Sequence, residues 1–204
     1  MFTTMDDDGI ISIVEEPSAD ITYTYADYLT WKFEERMELF RGKIFKMAAP
    51  TATHQIVCGN LHLIIGNYLK GRQCKVFFAP FDIRLPVQNR KKDDEITTVV
   101  QPDLCIVCDP NKIEARGVIG APDFVVEILS PGNSRKEIKL KHELYEEAGV
   151  GEYWVVNPVE ENIIIYRLNE QGRLEVYKIV TSGDIVALRA LPELKIDIQE
   201  IFDH

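Results

Sequence analysis

Long hydrophobic runs are missing from this chain. Nowhere do about 18 apolar residues follow one another, so no membrane-spanning helix is expected. Cysteine is scarce: Cys58, Cys74, Cys105 and Cys108 are the whole supply in 204 residues. A chain of that size buries a sizeable core without disulfide staples, and the four are expected to be reduced. Cys105 and Cys108 form a C-x-x-C, but a second pair at zinc-ribbon spacing is lacking, so zinc is not expected. Positive charge is also short, with 23 Lys and Arg against 33 Asp and Glu and a net charge of −10. Proteins that grip phosphates usually show a basic surface. Any such contact here must come from a local cluster. Arg90–Lys92 is cancelled by Asp93–Glu95, whereas Arg135, Lys136, Lys139 and Lys141 stand together. The N-terminal MFTTMDDDGIISIVEEPSAD has no basic segment followed by an apolar block and does not read as a signal peptide; the expected location is the cytoplasm.

What is present is the balance of a globular protein, 46% hydrophobic and 27% charged, which at this length suits one domain. Residues 1–20 read as a flexible arm with a short strand at Ile10–Val14, and 21–204 as a single domain. Thr24 is a reasonable N-cap for a helix over 25–36. ELFRGKIFKM predicts two strands around Arg41-Gly42. Ile56, Leu61, Ile64, Ile65, Tyr68 and Leu69 trace a helical face within 53–70. KVFFAPFDIRLPV is strand-like and broken at Pro80, and residues 87–98 read as a polar hairpin tip. VVQPDLCIVC (99–108) and DFVVEILS (123–130) are near-continuous apolar runs, the pattern of strands covered on both faces. A helix over 134–149 and a buried strand EYWVV (152–156) follow. NIIIYRL and LEVYKIV then make a hairpin around Asn169–Gly172. Helices punctuating strands predict an α/β fold with a mixed sheet.

Two of the buried-type strands each carry one acid that the pattern does not ask for: Asp103 after Pro102, and Glu127 amid Val125, Val126, Ile128 and Leu129. A charge removed from water costs several kcal/mol or more unless it is paired. The bland reading of either acid alone is a strand-end carboxylate satisfied by backbone N–H groups or an Arg. The helix that follows tips the balance. Ser134-x-x-Glu137 is a capping box. At about 100° per residue, Ile138, Leu140, Leu144, Tyr145 and Ala148 fall within an arc of about 160°, with Lys141 near its middle. A lysine on an apolar stripe either snorkels out or meets a negative partner. Asp103, Glu127 and Lys141 therefore form a candidate constellation. Two close carboxylates repel, and a hard cation removes the conflict. Oxygen ligands that leave room for water suit Mg²⁺ or Mn²⁺, and hydrolysis of a phosphodiester fits these parts.

The order of a PD motif, a buried acid on the next strand and a helix with lysine resembles the PD-(D/E)XK restriction-endonuclease-like superfamily. Within it, the run from Tyr23 to Trp154 is similar to the Uma-type family of restriction endonucleases. ELFRGKIFKM, the helix opening with His54, FDIRL, VVQPDLCIVCDP and PDFVVEILSPGNSRKEIKLKHELYEEAGVGEYWVV carry the likeness. It implies a restriction-endonuclease-like mixed β-sheet core flanked by helices, here with extra C-terminal hairpin strands, and a metal-dependent nuclease site. Asp103 and Glu127 match the two motif acids. Leu129 stands where the motif has lysine, and Lys141 matches the position to which the lysine has moved. Glu38 matches a further metal-side carboxylate ahead of the first hairpin; its bland reading is an exposed acid at a helix-to-strand junction. His54 is a candidate for hydrogen-bonding substrate, against the commoner partly buried structural histidine. Asp82 is a possible additional site residue, or a partner for Arg84. Arg135, Lys136 and Lys139 are expected to touch the nucleic acid backbone.

Two functions follow. One is a Mg²⁺- or Mn²⁺-dependent nuclease acting on DNA, with RNA left open because nothing in the chain reads bases. The other is a catalytically silent module of the same fold that serves protein association. A homodimer is expected, since two-fold dimers are the commonest oligomers and the tail strands are long enough to pair.

Overall fold

The structure is a computed structural model and describes residues 2–5, 11–14, 21–33, 35–47, 49–86, 90–130 and 135–203, with the backbone alone for 2–5, 11–14 and 135. In chain order the elements begin with β1 (Phe2–Met5), β2 (Ile11–Val14), α1 (Tyr25–Tyr28), β3 (Met37–Phe40), β4 (Lys43–Lys46) and α2 (Ala52–Leu69). Then come β5 (Lys75–Phe78), β6 (Ile83–Arg84), β7 (Val99–Val100), β8 (Leu104–Val107), β9 (Ile113–Glu114), β10 (Gly117–Ile119) and β11 (Phe124–Ile128). The last third holds α3 (Arg135–Ala148), β12 (Glu152–Asn157), β13 (Asn162–Leu168), β14 (Leu174–Thr181), β15 (Ile185–Ala187), β16 (Lys195–Asp197) and α4 (Ile198–Phe202). Two compact units result, Met1–Ala49 with Arg84–Val100, and Pro50–Ile83 with Gln101–His204.

In the first unit, β1 and β2 pair antiparallel, and β3 and β4 form the expected hairpin. The turn needs its glycine. Gly42 has φ +78°, and a Cβ there would stand 2.3 Å from Cγ2 of Thr22. Leu39 pairs with Val99, and both pack with Tyr25 and Ile96. Thr24 caps α1, with its amide on Asp27 Oδ2 at 2.7 Å, but the helix stops at Tyr28 rather than running to 36. The hydroxyl of Thr30 donates to the Asp27 carbonyl at 2.7 Å, taking an acceptor that a further turn of helix would use. Tyr23, Tyr28 and Trp31 then pack against the small core instead of following a helical stripe.

The second unit is built on a six-stranded sheet of order β14-β13-β12-β11-β8-β5. Only β11 and β12 run parallel, as α3 connects them; the other pairs are antiparallel. The sheet is mixed, as the alternation of strands and helices predicts. Phe124, Val126 and Ile128 of β11 share a core with Val57, Leu61 and Ile65 of α2 and with Ile198, Ile201 and Phe202 of α4. Residues alternate across a strand, so Val125 and Glu127 turn to the opposite face, where α3 lies. Two expectations fail here. The 99–108 run is not one strand but β7 and β8, separated at Gln101-Pro102, because proline has no N–H for a ladder. The cysteines are not all reduced either. Lys75 pairs with Val107, which brings the flanking Cys74 and Cys108 together, and they form a disulfide. Cys58 and Cys105 are free thiols. Among the described residues no helix is long and apolar enough to cross a membrane.

Candidate active site

Glu127 comes near the end of β11 on the α3 face and is 9% exposed. Its charge is met by two residues one helical turn apart. Lys141 Nζ donates to Oε2 at 2.9 Å, and the Tyr145 hydroxyl donates to Oε1 at 2.5 Å. Lys141 and Tyr145 are themselves buried. Positions i and i+4 lie one above the other on a helix, so the two donors straddle one carboxylate. The lysine on the apolar stripe is thus paired inside the protein rather than snorkelling.

Asp103 lies one residue beyond the last pair of the β11–β8 ladder, Val126 with Leu104, and so across from Glu127. Its Oδ2 accepts from the Ile128 amide at 2.7 Å and faces His54 Nε2 at 3.1 Å. Its carbonyl accepts from the Ala79 amide at 3.2 Å and from the Cys58 thiol at 3.6 Å. His54 is in the first turn of α2, where the Thr51 hydroxyl caps its amide at 3.2 Å. Nδ1 of His54 is buried and has no hydrogen-bond partner among the described residues.

A small pocket opens beside Glu127, walled by Glu137, Lys141 and Tyr153. Burial pushes the pKa of Tyr153 well above 10.0, and the charges of Glu127, Asp103 and Glu137 push it the same way, so its hydroxyl keeps its proton. Glu137, read from the sequence only as half of a capping box, therefore belongs to the wall of the site; its Ser134 partner lies outside the described residues. Tyr145 and Tyr153 were not foreseen either. Tyr145 stood on the predicted buried stripe, four residues after Lys141, and that spacing was the available signal.

Lys136 and Lys139 are exposed on α3, and Lys139 stands 3.9 Å from Glu143. The side chain of Arg135 lies outside the described ones. Asp82 accepts from Gln101 Nε2 at 2.8 Å, and its carbonyl accepts from the Val118 amide. Glu38 belongs to the first unit. It is buried on β3 opposite Phe45, not exposed at a junction.

A family model described as "Putative restriction endonuclease" matches residues 25–199. The chain belongs to the Uma2 family. Among relatives of this Uma2 chain is the uncharacterized protein slr1290 of Synechocystis sp., 26% identical over 164 residues, which are 78% of this chain and 82% of the relative. A crystal structure from Anabaena variabilis, described as a "putative nuclease belonging to DUF820", superposes with a TM-score of 0.69. It covers 88% of this chain and 97% of its own at 22% identity. The second likeness shows the fold: a mixed sheet flanked by few helices.

The donor set can be weighed against the divalent ion that this family implies. Among the described residues no three His, Cys, Asp or Glu side chains are grouped to hold a metal, so a closed protein cage is not there. Two carboxylates on neighbouring strands, Asp103 and Glu127, are. Magnesium demands no more, since it keeps several waters and is commonly held by one or two carboxylates together with substrate phosphates. The residues present fit an ion of that kind and do not fit a structural zinc.

Proposed function

We propose that this Uma2 chain is a Mg²⁺-dependent nuclease that hydrolyses phosphodiester bonds of DNA. The observation that carries the reading is the pairing of Lys141 with Glu127 at 2.9 Å, both buried, across the end of the sheet from Asp103. Asp103 and Glu127 would hold the ion. A divalent cation bound there lowers the pKa of a water and polarises a phosphoryl oxygen.

The protein's own groups do the rest. Lys141 has three N–H donors on a charged head. Held against Glu127, that head brings a fixed positive charge to the place where negative charge grows on the phosphate. His54 and the Ile128 amide fix Asp103 through Oδ2. Tyr153, kept protonated by burial and by the acids around it, is a donor in the pocket wall. Lys136 and Lys139 lie on the exposed side of the same helix, where they suit contacts with the DNA backbone. Double-strand cleavage would take two such sites, one from each of two copies of the chain.

The test is cleavage of supercoiled plasmid with Mg²⁺ or Mn²⁺, with an RNA oligonucleotide as a second substrate, comparing the native chain with Glu127→Ala. Native cleavage that falls by about 100-fold or more in the variant is expected, as for loss of a group that acts in the transition state. Equal cleavage by both proteins identifies a contaminant. No cleavage by the native chain overturns the reading in favour of a silent association module, and cleavage of RNA alone reassigns the substrate.

A further inference from the structure

Tyr145 is a core residue by burial, fully enclosed between α3 and the sheet and 5.0 Å from the ring of Tyr153. Phenylalanine would fill that space equally well. The hydroxyl is the part that packing does not explain. It sits 2.5 Å from Oε1 of Glu127, while Lys141 donates to Oε2. Buried polar atoms cost free energy unless they are bonded, so this contact is a built one.

A carboxylate held by a lysine at one oxygen can still pivot about that contact. A second donor at the other oxygen fixes the plane of the group. The i and i+4 spacing of Lys141 and Tyr145 provides both donors from one rigid element. Sites that must hold an ion or a reacting group within a fraction of an ångström depend on such supports.

We propose that Tyr145 is a positioning residue for Glu127, fixing with Lys141 the single orientation in which the carboxylate faces the open pocket. The role of Glu127 in metal binding and nuclease action rests on the reading given above; the contact itself does not. Tyr145→Phe removes one oxygen and keeps the ring. In full-length protein, Mn²⁺ affinity is read by titration calorimetry, and kcat and KM for a DNA oligonucleotide by cleavage. The expected result is a loss of about tenfold in Mn²⁺ affinity and in kcat, with KM unchanged, the size seen when supports of ligating groups are removed. Unchanged affinity and kcat in a folded variant would reduce Tyr145 to packing and overturn the proposal.

A thermal double-mutant cycle of Tyr145→Phe with Glu127→Ala decides the matter without metal or activity. If Tyr145 holds Glu127, Tyr145→Phe lowers Tm in the native background and does little once Glu127 is gone. Equal shifts in both backgrounds overturn the proposal. A native chain that neither binds Mn²⁺ nor cleaves, combined with a non-additive cycle, refutes the nuclease reading while leaving Tyr145 as the residue that orients Glu127.

Discussion

At the scale of single residues, the informative signal was charge in the wrong place. Glu127 and Lys141 each violate an apolar pattern, and burial makes such violations expensive, so each one demanded a partner that the other could be. Tyr145 was not legible in the same way. A tyrosine on a buried stripe satisfies the pattern, and its hydroxyl leaves no mark in a hydrophobic periodicity. The His54–Asp103 contact joins a residue of α2 to the one just before β8, a tertiary meeting that no local spacing announces. The pair at the centre also predicts a stability effect. With side chains 7% and 12% exposed, Lys141 and Glu127 behave as a buried pair rather than a surface one. Lys141→Met removes the cation and leaves the buried Glu127 charge with the Tyr145 hydroxyl, which should cost about 3–5 kcal/mol, whereas Lys141→Met with Glu127→Gln should recover most of that loss. Denaturant unfolding of the three proteins measures it. A cost under about 1 kcal/mol for the single variant would mean that water reaches the pair.

At the scale of elements, long patterns survived and short ones did not. The periodic segments predicted at 53–70 and 134–149 became Ala52–Leu69 and Arg135–Ala148, because many residues vote on a helical face. The helix expected over 25–36 shrank to one turn, where a single side-chain bond from Thr30 and a few aromatic contacts outweigh weak propensity. The β5–β8 register, which sets Cys74 against Cys108 across 34 residues of chain, depends on which strands end up adjacent. The amphipathic division of α3 leads to a prediction about binding. Lys141 and Tyr145 face inward, whereas Lys136 and Lys139 are exposed, and the ion pair of Lys139 with Glu143 at 3.9 Å holds a side chain that is 80% exposed. Such a pair is weak enough for a phosphate to compete. Lys136→Ala with Lys139→Ala should therefore weaken DNA binding, with kcat at saturation retained. The slope of log K against log salt should become shallower by roughly 2, about 0.9 for each lost phosphate contact. Filter binding across a salt series tests this. An unchanged slope would remove these lysines from the interface.

At the scale of the whole molecule, a net charge of −10 looks unsuited to a polyanionic substrate, yet total charge acts only over the screening length. At physiological salt that length is about 8 Å, so what a phosphate meets on α3 is the local lysines rather than the sum over the chain. Protonation is where the molecule as a whole responds together. Burial raises the Cys105 thiol to about 12, and burial followed by the charge of Asp103 raises Cys58 to about 11, against an ordinary value of 9.0. Tyr153 is raised for the same first reason. In each case the folded chain keeps a proton that the unfolded chain gives up. Below the ordinary thiol value of 9.0 both states hold it and stability is unaffected. As pH rises from there through the folded-state values, the unfolded state binds fewer protons and folding stability falls. Thermal unfolding followed from pH 8 upward should show Tm level at first and then declining. Cys105→Ala, which removes the most shifted thiol and lies outside the proposed catalytic groups, should make that decline shallower than in the native chain. Parallel curves for the two proteins would mean that the Cys105 thiol titrates in the folded state as it does in water, which its 2% exposure on β8 argues against.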